Sequence, residues 1–180
     1  MSLSLVDKVV AVADALDAAA VPYAFGGALA LAYATEEPRG TRDIDVNVFV
    51  LPDAVDVVFA ALPPGVVATT ADRQAVLTDE QVRLWWDDTP VDVFFAADPY
   101  HFDAGERARR VDFIGRSIRV LAAEDLAVFK LLFDRPRDWV DVETMLESGT
   151  LDIDVTVARA TGLLGDDDRV ERLRRLGSGQ

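Results

Sequence analysis

The segment Asp43-Ile-Asp-Val-Asn-Val-Phe-Val50 constrains this 180-residue chain more than any other. Asp43, Asp45 and Asn47 alternate with Ile44, Val46 and Val48, a period of two that predicts a strand with one polar and one apolar face. Residues i and i+2 of a strand point the same way, so the two carboxylates converge on one spot. Like charges that close repel, and a hard divalent cation such as Mg²⁺ relieves the repulsion through its oxygen ligands. The same spacing also fits an ordinary solvated face.

Elements on either side place this strand in an α/β half. Ser4 to Ala20 carries Leu5, Val9, Val12 and Leu16 at helical spacing, with Ser4 as cap. Pro22 ends that helix, Val21 to Phe25 reads as a short strand, and Gly26-Gly27 leads into a helical run from Ala28 to Ala34. Thr35 to Arg42 is a polar loop. Beyond the acidic strand come a helix over Asp53 to Leu62 and a hairpin of Val82 to Trp86 and Val91 to Phe95 around Asp87-Asp88-Thr89-Pro90. A helix near Pro99 to Arg109 and strands over Val111 to Ile114 and Ser117 to Leu121 complete this half. After Ala122 the pattern is helical: Glu124 to Phe133, Pro136 to Leu146 with Pro in its first turn, then weaker helices near Val155 to Leu164 and Asp167 to Leu176. The closing Gly177-Ser-Gly-Gln180 reads as a frayed tail. The expected class is α+β, with residues 1–121 as an α/β domain and 122–180 as a helical one.

Composition removes several function classes. Apolar residues make up 51% of the chain, enough for one or two cores. Eighteen basic residues against 32 acidic ones give a net charge of −14, which opposes bulk electrostatic binding of nucleic acid. With no cysteine and one histidine, His101, disulfide frameworks, thiolate zinc sites and cysteine nucleophiles are excluded, and a histidine-centred triad is disfavoured. His101 itself reads as structural or exposed. No apolar run approaches the roughly 18 to 20 residues that span a bilayer. The first twelve residues lack the order of a signal peptide, so a cytoplasmic protein without membrane contact is expected. Lys8 and Lys130 are the only lysines.

Further residues fit a phosphate-handling site. Asp92 interrupts an otherwise apolar strand and needs a partner, a cation or an edge facing water. Should its strand lie beside the acidic one, three carboxylates would be placed for two Mg²⁺ ions and displacement at phosphorus. Gly26-Gly27 lies at a strand-to-helix junction, where backbone N–H groups and a helix N-terminus favour an anion. Lys130, between apolar neighbours, fits either a snorkelling lysine or one that meets phosphate. Asp138 and Asp141 share a helix face, and Asp138 also suits the helix dipole. Arg39 and Arg42 flank the acidic strand, fitting phosphate oxygens or the surplus acids. Arg107, Arg109 and Arg110, and Arg169, Arg172, Arg174 and Arg175, are solvated helix faces or contacts for an RNA acceptor. Trp85 and Trp86 straddle a strand, so that one is core and the other free to line a cleft or stack on a base.

Phe25-Gly26-Gly27-Ala28-Leu29 followed by Arg39-Gly40-Thr41-Arg42-Asp43-Ile44-Asp45-Val46 resembles the signature of the DNA polymerase β-type nucleotidyltransferase superfamily. With Lys130 in Leu126-Ala-Val-Phe-Lys-Leu-Leu-Phe133 and with Asp138-Trp-Val-Asp141, the pattern resembles the minimal bacterial branch, including AbiEii-like toxins of type IV toxin–antitoxin systems. The match covers roughly residues 21–145. It implies a mixed sheet flanked by helices, with Gly26 and Gly27 holding a nucleoside triphosphate and Asp43 and Asp45 binding Mg²⁺. Asp92 would complete the metal site or act as base, Lys130 would contact triphosphate, and Asp138 and Asp141 would orient the lysine or the acceptor. One departure stands out: many members carry serine where Gly27 stands. The implied reaction moves a nucleoside monophosphate to an acceptor hydroxyl. The acceptor would be a tRNA 3′ end, an aminoglycoside-type antibiotic or a protein, and the toxin reading brings a cognate antitoxin. A non-catalytic antitoxin or other interaction protein with the same fold is the contrasting expectation.

Overall fold

The computed structural model describes residues 3–37 and 40–179. Helix α1 (Leu5–Ala18) starts at a capping box in which Ser4 and Asp7 satisfy each other's backbone N–H groups. Its buried residues include Val9, Val12 and Leu16, as the helical spacing requires. Strand β1 (Tyr23–Phe25), helix α2 (Gly27–Thr35) and strand β2 (Ile44–Val48) follow. A 3-10 turn at Pro52–Ala54 leads into α3 (Val55–Ala61), so Pro52 tightens the start of the helix expected there.

Next come β3 (Val66–Val67), α4 (Thr70–Asp79), β4 (Gln81–Trp86) and β5 (Thr89–Phe95). Neither β3 nor α4 stands out in the sequence. Helix α4 buries only Val76 and is held by a capping box of Thr69 and Asp72, so it lacks the apolar stripe that announces a helix. Helix α5 (Pro99–Arg107), β6 (Arg109–Phe113) and β7 (Arg116–Val120) precede α6 (Ala123–Phe133), α7 (Pro136–Glu147), α8 (Ile153–Leu164) and α9 (Asp168–Ser178). Among the described residues, no helix is long and apolar enough to cross a membrane.

The chain divides into two compact units, Met1–Leu29 with Gly40–Leu121, and Ala30–Arg39 with Ala122–Gln180. The second therefore takes in a segment, Ala30–Arg39, that lies inside the first half by chain order. The first unit is built on a seven-stranded mixed sheet in the order β3-β4-β5-β2-β1-β7-β6. β2 runs parallel to β5 and antiparallel to β1, and β1 runs parallel to β7. Val46, Val48, Val91, Val93 and Phe95 are buried on one sheet face. Buried Lys8 of α1 clips the β4–β5 turn, donating to the Trp86 carbonyl at 2.8 Å and the Thr89 hydroxyl at 2.9 Å, with Asp87 at 3.4 Å.

In the second unit α6 packs on α7 and α8, and α8 on α9. Leu126, Leu131, Trp139, Val142, Met145, Ala160, Val170 and Leu173 are buried there. The expected frayed tail is corrected in part: Gly177 and Ser178 end α9 in helical geometry. A Cβ on Gly177 would stand 2.6 Å from Ile153 of α8, so the glycine is what lets the two helices close. Gln180 lies outside the described residues.

Candidate active site

Asp43 lies immediately before β2 and Asp45 within it. The parallel register pairs Asp45 with Asp92 of β5. One carboxylate oxygen from each of Asp43, Asp45 and Asp92 lies within 4.8 Å of the other two, and each residue is half-buried. The condition set by the sequence, that the Asp92 strand adjoin the acidic one, is met. Ligand oxygens on opposite sides of a small hard cation stand about 4 Å apart, so small side-chain rotations fit these three to one or more divalent ions. The donor set, all carboxylate oxygen, suits Mg²⁺. Thr41 donates its hydroxyl to one oxygen of Asp43.

Arg83 of β4 is a member that the sequence did not disclose. It sits directly across from Asp92 in the antiparallel ladder. Its Nε and Nη2 donate to the two Asp92 oxygens at 2.7 Å each. Those hydrogen bonds first, then the Asp92 charge, with Asp43 and Asp45 adding to it, raise the guanidinium pKa further above its usual range. Arg83 engages both Asp92 oxygens, so a metal ion arriving at Asp92 must compete with this guanidinium. The signal that could have exposed it is the turn length. A four-residue loop over Asp87–Pro90 sets Arg83 opposite Phe94. The observed two-residue turn, with Asp87 at φ 53°, pairs Trp86 with Thr89 and brings Arg83 to Asp92.

The glycine pair adjoins these acids. Gly26 donates its backbone N–H to the Asp45 carbonyl at 2.9 Å, so that N–H is already used. Gly27 opens α2 at φ +49°, and a Cβ there would fall 1.8 Å from Asp45 Oδ2 and 2.9 Å from Asp45 Cβ. Any side chain, serine included, would combine left-handed strain with a collision against an acid of the cluster. This explains the departure from the serine pattern. What the junction offers an anion is the first turn of a nine-residue helix beginning beside Asp45. Asn47, which the alternation puts on the polar face, is buried, with its amide 2.8 Å from where a Gly26 Cβ would lie.

Gly40, Thr41, Arg42, Asp43 and Pro90 line a pocket of about 450 Å³. Exposed Arg42 thus borders the acid cluster, while Arg39 lies outside the described residues.

Lys130, Asp138 and Asp141 come together within the second unit. Lys130 is buried and donates to Asp141 at 2.6 Å, with Asp138 at 3.6 Å. It therefore does not snorkel. The lysine thus lies between the two acids. Arg135 donates through Nε to Asp138 at 2.6 Å. Burial works to raise the Asp138 pKa, but the Arg135 hydrogen bonds and the Lys130 charge outweigh it and hold the carboxyl below its ordinary range.

The remaining candidates separate by exposure and partner. Trp86 is buried and Trp85 exposed, as the strand alternation requires. Arg172 lies over the Trp139 ring at 3.9 Å, and Arg169 pairs with Asp167 at 2.8 Å. Arg174 donates to Glu171 and to the Thr161 hydroxyl. These three arginines of the C-terminal cluster serve the fold of their own unit. Arg107 stacks on Tyr100 at 5.4 Å. His101 receives the Ala97 N–H at 3.4 Å, and burial lowers its pKa against the opposing charge of Asp98.

Neither a scan of protein-family profiles nor a search of curated proteins finds a match to the chain. Solved structures do resemble it. The antibiotic-resistance factor ANT(2'')-Ia in solution superimposes with a TM-score of 0.56 at 17% identity, covering 97% of this chain and 91% of that one. ANT(2'')-Ia in complex with adenylyl-2''-tobramycin gives 0.55 at 17% identity, covering 96% and 97%. The lincosamide antibiotic adenylyltransferase LnuA, with lincomycin bound, gives 0.53 at 13% identity, covering 81% and 98%. These likenesses show the fold: an α+β nucleotidyltransferase-type mixed sheet with flanking helices and a helical C-terminal part.

Proposed function

We propose that this chain is a divalent-cation-dependent nucleotidyltransferase, which moves a nucleoside monophosphate from a nucleoside triphosphate to an acceptor hydroxyl. The observation that carries the reading is the convergence of Asp43, Asp45 and Asp92 within 4.8 Å, with Gly27 packed against Asp45. Asp43, Asp45 and Asp92 would hold Mg²⁺, which when bound neutralises phosphate charge and polarises the phosphoryl oxygens. The first turn of α2, opened by Gly27, receives the polyphosphate, and Arg42 at the pocket edge adds a cation for it. The acceptor oxygen forms a bond to the α-phosphorus as the bond to pyrophosphate breaks, and the hydroxyl proton passes to a carboxylate of the cluster. Arg83 sets the orientation of Asp92 through both of its oxygens. Lys130, already shared between Asp138 and Asp141, is assigned to the cohesion of the second unit rather than to triphosphate.

Among acceptors, a small hydroxylated cation suits the acidic chain better than RNA, because a net charge of −14 repels a phosphate backbone. The structural neighbours solved with adenylyl-2''-tobramycin and with lincomycin support the same choice. The tRNA reading and its antitoxin rest on the toxin-like resemblance alone.

The test is transfer of label from each α-labelled nucleoside triphosphate, with Mg²⁺, to tobramycin, lincomycin and total tRNA. The doubly substituted Asp43→Ala/Asp45→Ala chain serves as control. Label on either antibiotic, lost in the control, is expected. Label on tRNA would instead establish the toxin-like acceptor, and label on nothing would favour the non-catalytic interaction protein.

A further inference from the structure

Of three tryptophans, Trp86 and Trp139 are buried, whereas Trp85 is 49% exposed. The ladder registers place Val67 of β3 on one side of Trp85 and Pro90 of β5 on the other. Opposed residues of an antiparallel ladder share a sheet face, so Val67, Trp85 and Pro90 form one apolar row. Val67 is 65% exposed, so the row faces outward. The next row on that face, two residues along the strands and about 7 Å away, is Arg83–Asp92–Asp45. Pro90 also lines the pocket beside Asp43, so the apolar row continues the pocket wall.

The sheet order settles which substrate this row can meet, given the reaction proposed above. Gly27 touches the acid cluster from the β1 side, whereas Trp85 and Val67 lie on β4 and β3, beyond β5. Displacement in line at phosphorus puts the incoming hydroxyl and the departing pyrophosphate on opposite sides. With the polyphosphate at the first turn of α2, the hydroxyl arrives from the β4 side. The aromatic face of Trp85 attracts cations. Asp92 lies in the next row of the same face, and Asp43 lines the pocket with Pro90. Asp87 and Asp88, exposed at the turn that ends β4, add negative charge at the same end of the hairpin.

We propose that Val67, Trp85 and Pro90 form the acceptor subsite, a stacking shelf for a hydroxylated ring compound that carries ammonium groups. The assignment rests on the nucleotidyl-transfer reading but is measured apart from it. Acrylamide quenching reports selectively on the exposed indole, so it follows Trp85 in the whole protein without nucleotide. Tobramycin is expected to shield Trp85 from acrylamide. Trp85→Ala should raise the tobramycin KM roughly tenfold while leaving the nucleotide KM unchanged, and Trp85→Phe should recover most of the loss. Because half of Trp85 is packed, Trp85→Ala should lower the unfolding midpoint modestly, and Trp85→Phe should restore most of it. Absence of shielding, or shielding by tRNA instead of tobramycin, would overturn the shelf as assigned. So would a nucleotide KM that rises with the acceptor KM, since the nucleobase would then occupy Trp85. Shielding in a protein that transfers no label would support the shelf while sinking the chemistry. Transfer to tobramycin that ignores Trp85→Ala would sink only the shelf.

Discussion

The acids of the first unit and those of the second meet their surroundings in opposite ways. Asp43, Asp45 and Asp92 sit half-buried at a pocket edge, with Arg83 paired to Asp92. Asp138 and Asp141 are almost wholly buried, and Lys130 and Arg135 supply one cation for each of them. A neutralised buried network holds helices in register and has little left to offer a ligand. A half-open cluster of three carboxylates at a pocket edge has oxygens placed to take up a cation. Acidic residues at short spacing therefore do not define a site; whether they are buried in ion pairs or open to a pocket does.

The largest expected effect sharpens that contrast. Asp45→Asn should lower nucleotidyl transfer by about a thousandfold while leaving the unfolding midpoint equal or higher, because it removes repulsion along with a ligand. In the second unit the signs reverse. Lys130→Met should cost about 3 kcal/mol of stability by stranding Asp141, and Lys130→Met/Asp141→Leu should regain most of it, as chemical denaturation would show. If the single variant instead unfolds normally and loses nucleotide affinity, Lys130 belongs to the triphosphate and the contrast fails. Gly27→Ala combines the two outcomes. It should cost about 1 to 2 kcal/mol through left-handed strain and raise the nucleotide KM by displacing Asp45.

The smallest effect is the pH dependence that Asp138 adds in the second network. The Asp138 pKa is held below its ordinary 3.8, so its contribution is complete above that value and is lost as pH falls through the lowered one. As pH falls below about 4, the unfolding midpoint should fall more steeply in the wild type than in Asp138→Asn. Equal slopes would show that the pair contributes no linkage.

Periodicity made much of this architecture legible. The acidic strand, the capped first helix and the Pro-initiated α7 all follow from spacing and local caps. Segments that depend on tertiary support did not announce themselves: α4 buries one residue, and β3 is two residues held by Trp85 and Trp86. At the site, the acids and glycines carry local signatures, whereas Arg83 depends on a hairpin register that the length of the turn decides. Gly27 stood out as half of a glycine pair at a strand-to-helix junction, but the approach of Asp45, which leaves no room for a side chain, exists only in three dimensions.

The central claim is that the first cluster, and not the second, takes a divalent cation together with nucleotide. Thermal unfolding with a non-hydrolysable nucleoside triphosphate analogue, with and without Mg²⁺, tests it most directly. At about a hundred times Kd the complex should be stabilised by about 2.7 kcal/mol, only with Mg²⁺ present. The shift should vanish in Asp45→Asn and persist in Lys130→Met/Asp141→Leu. An undiminished shift in Asp45→Asn, or none in the wild type with any nucleotide, would contradict the account.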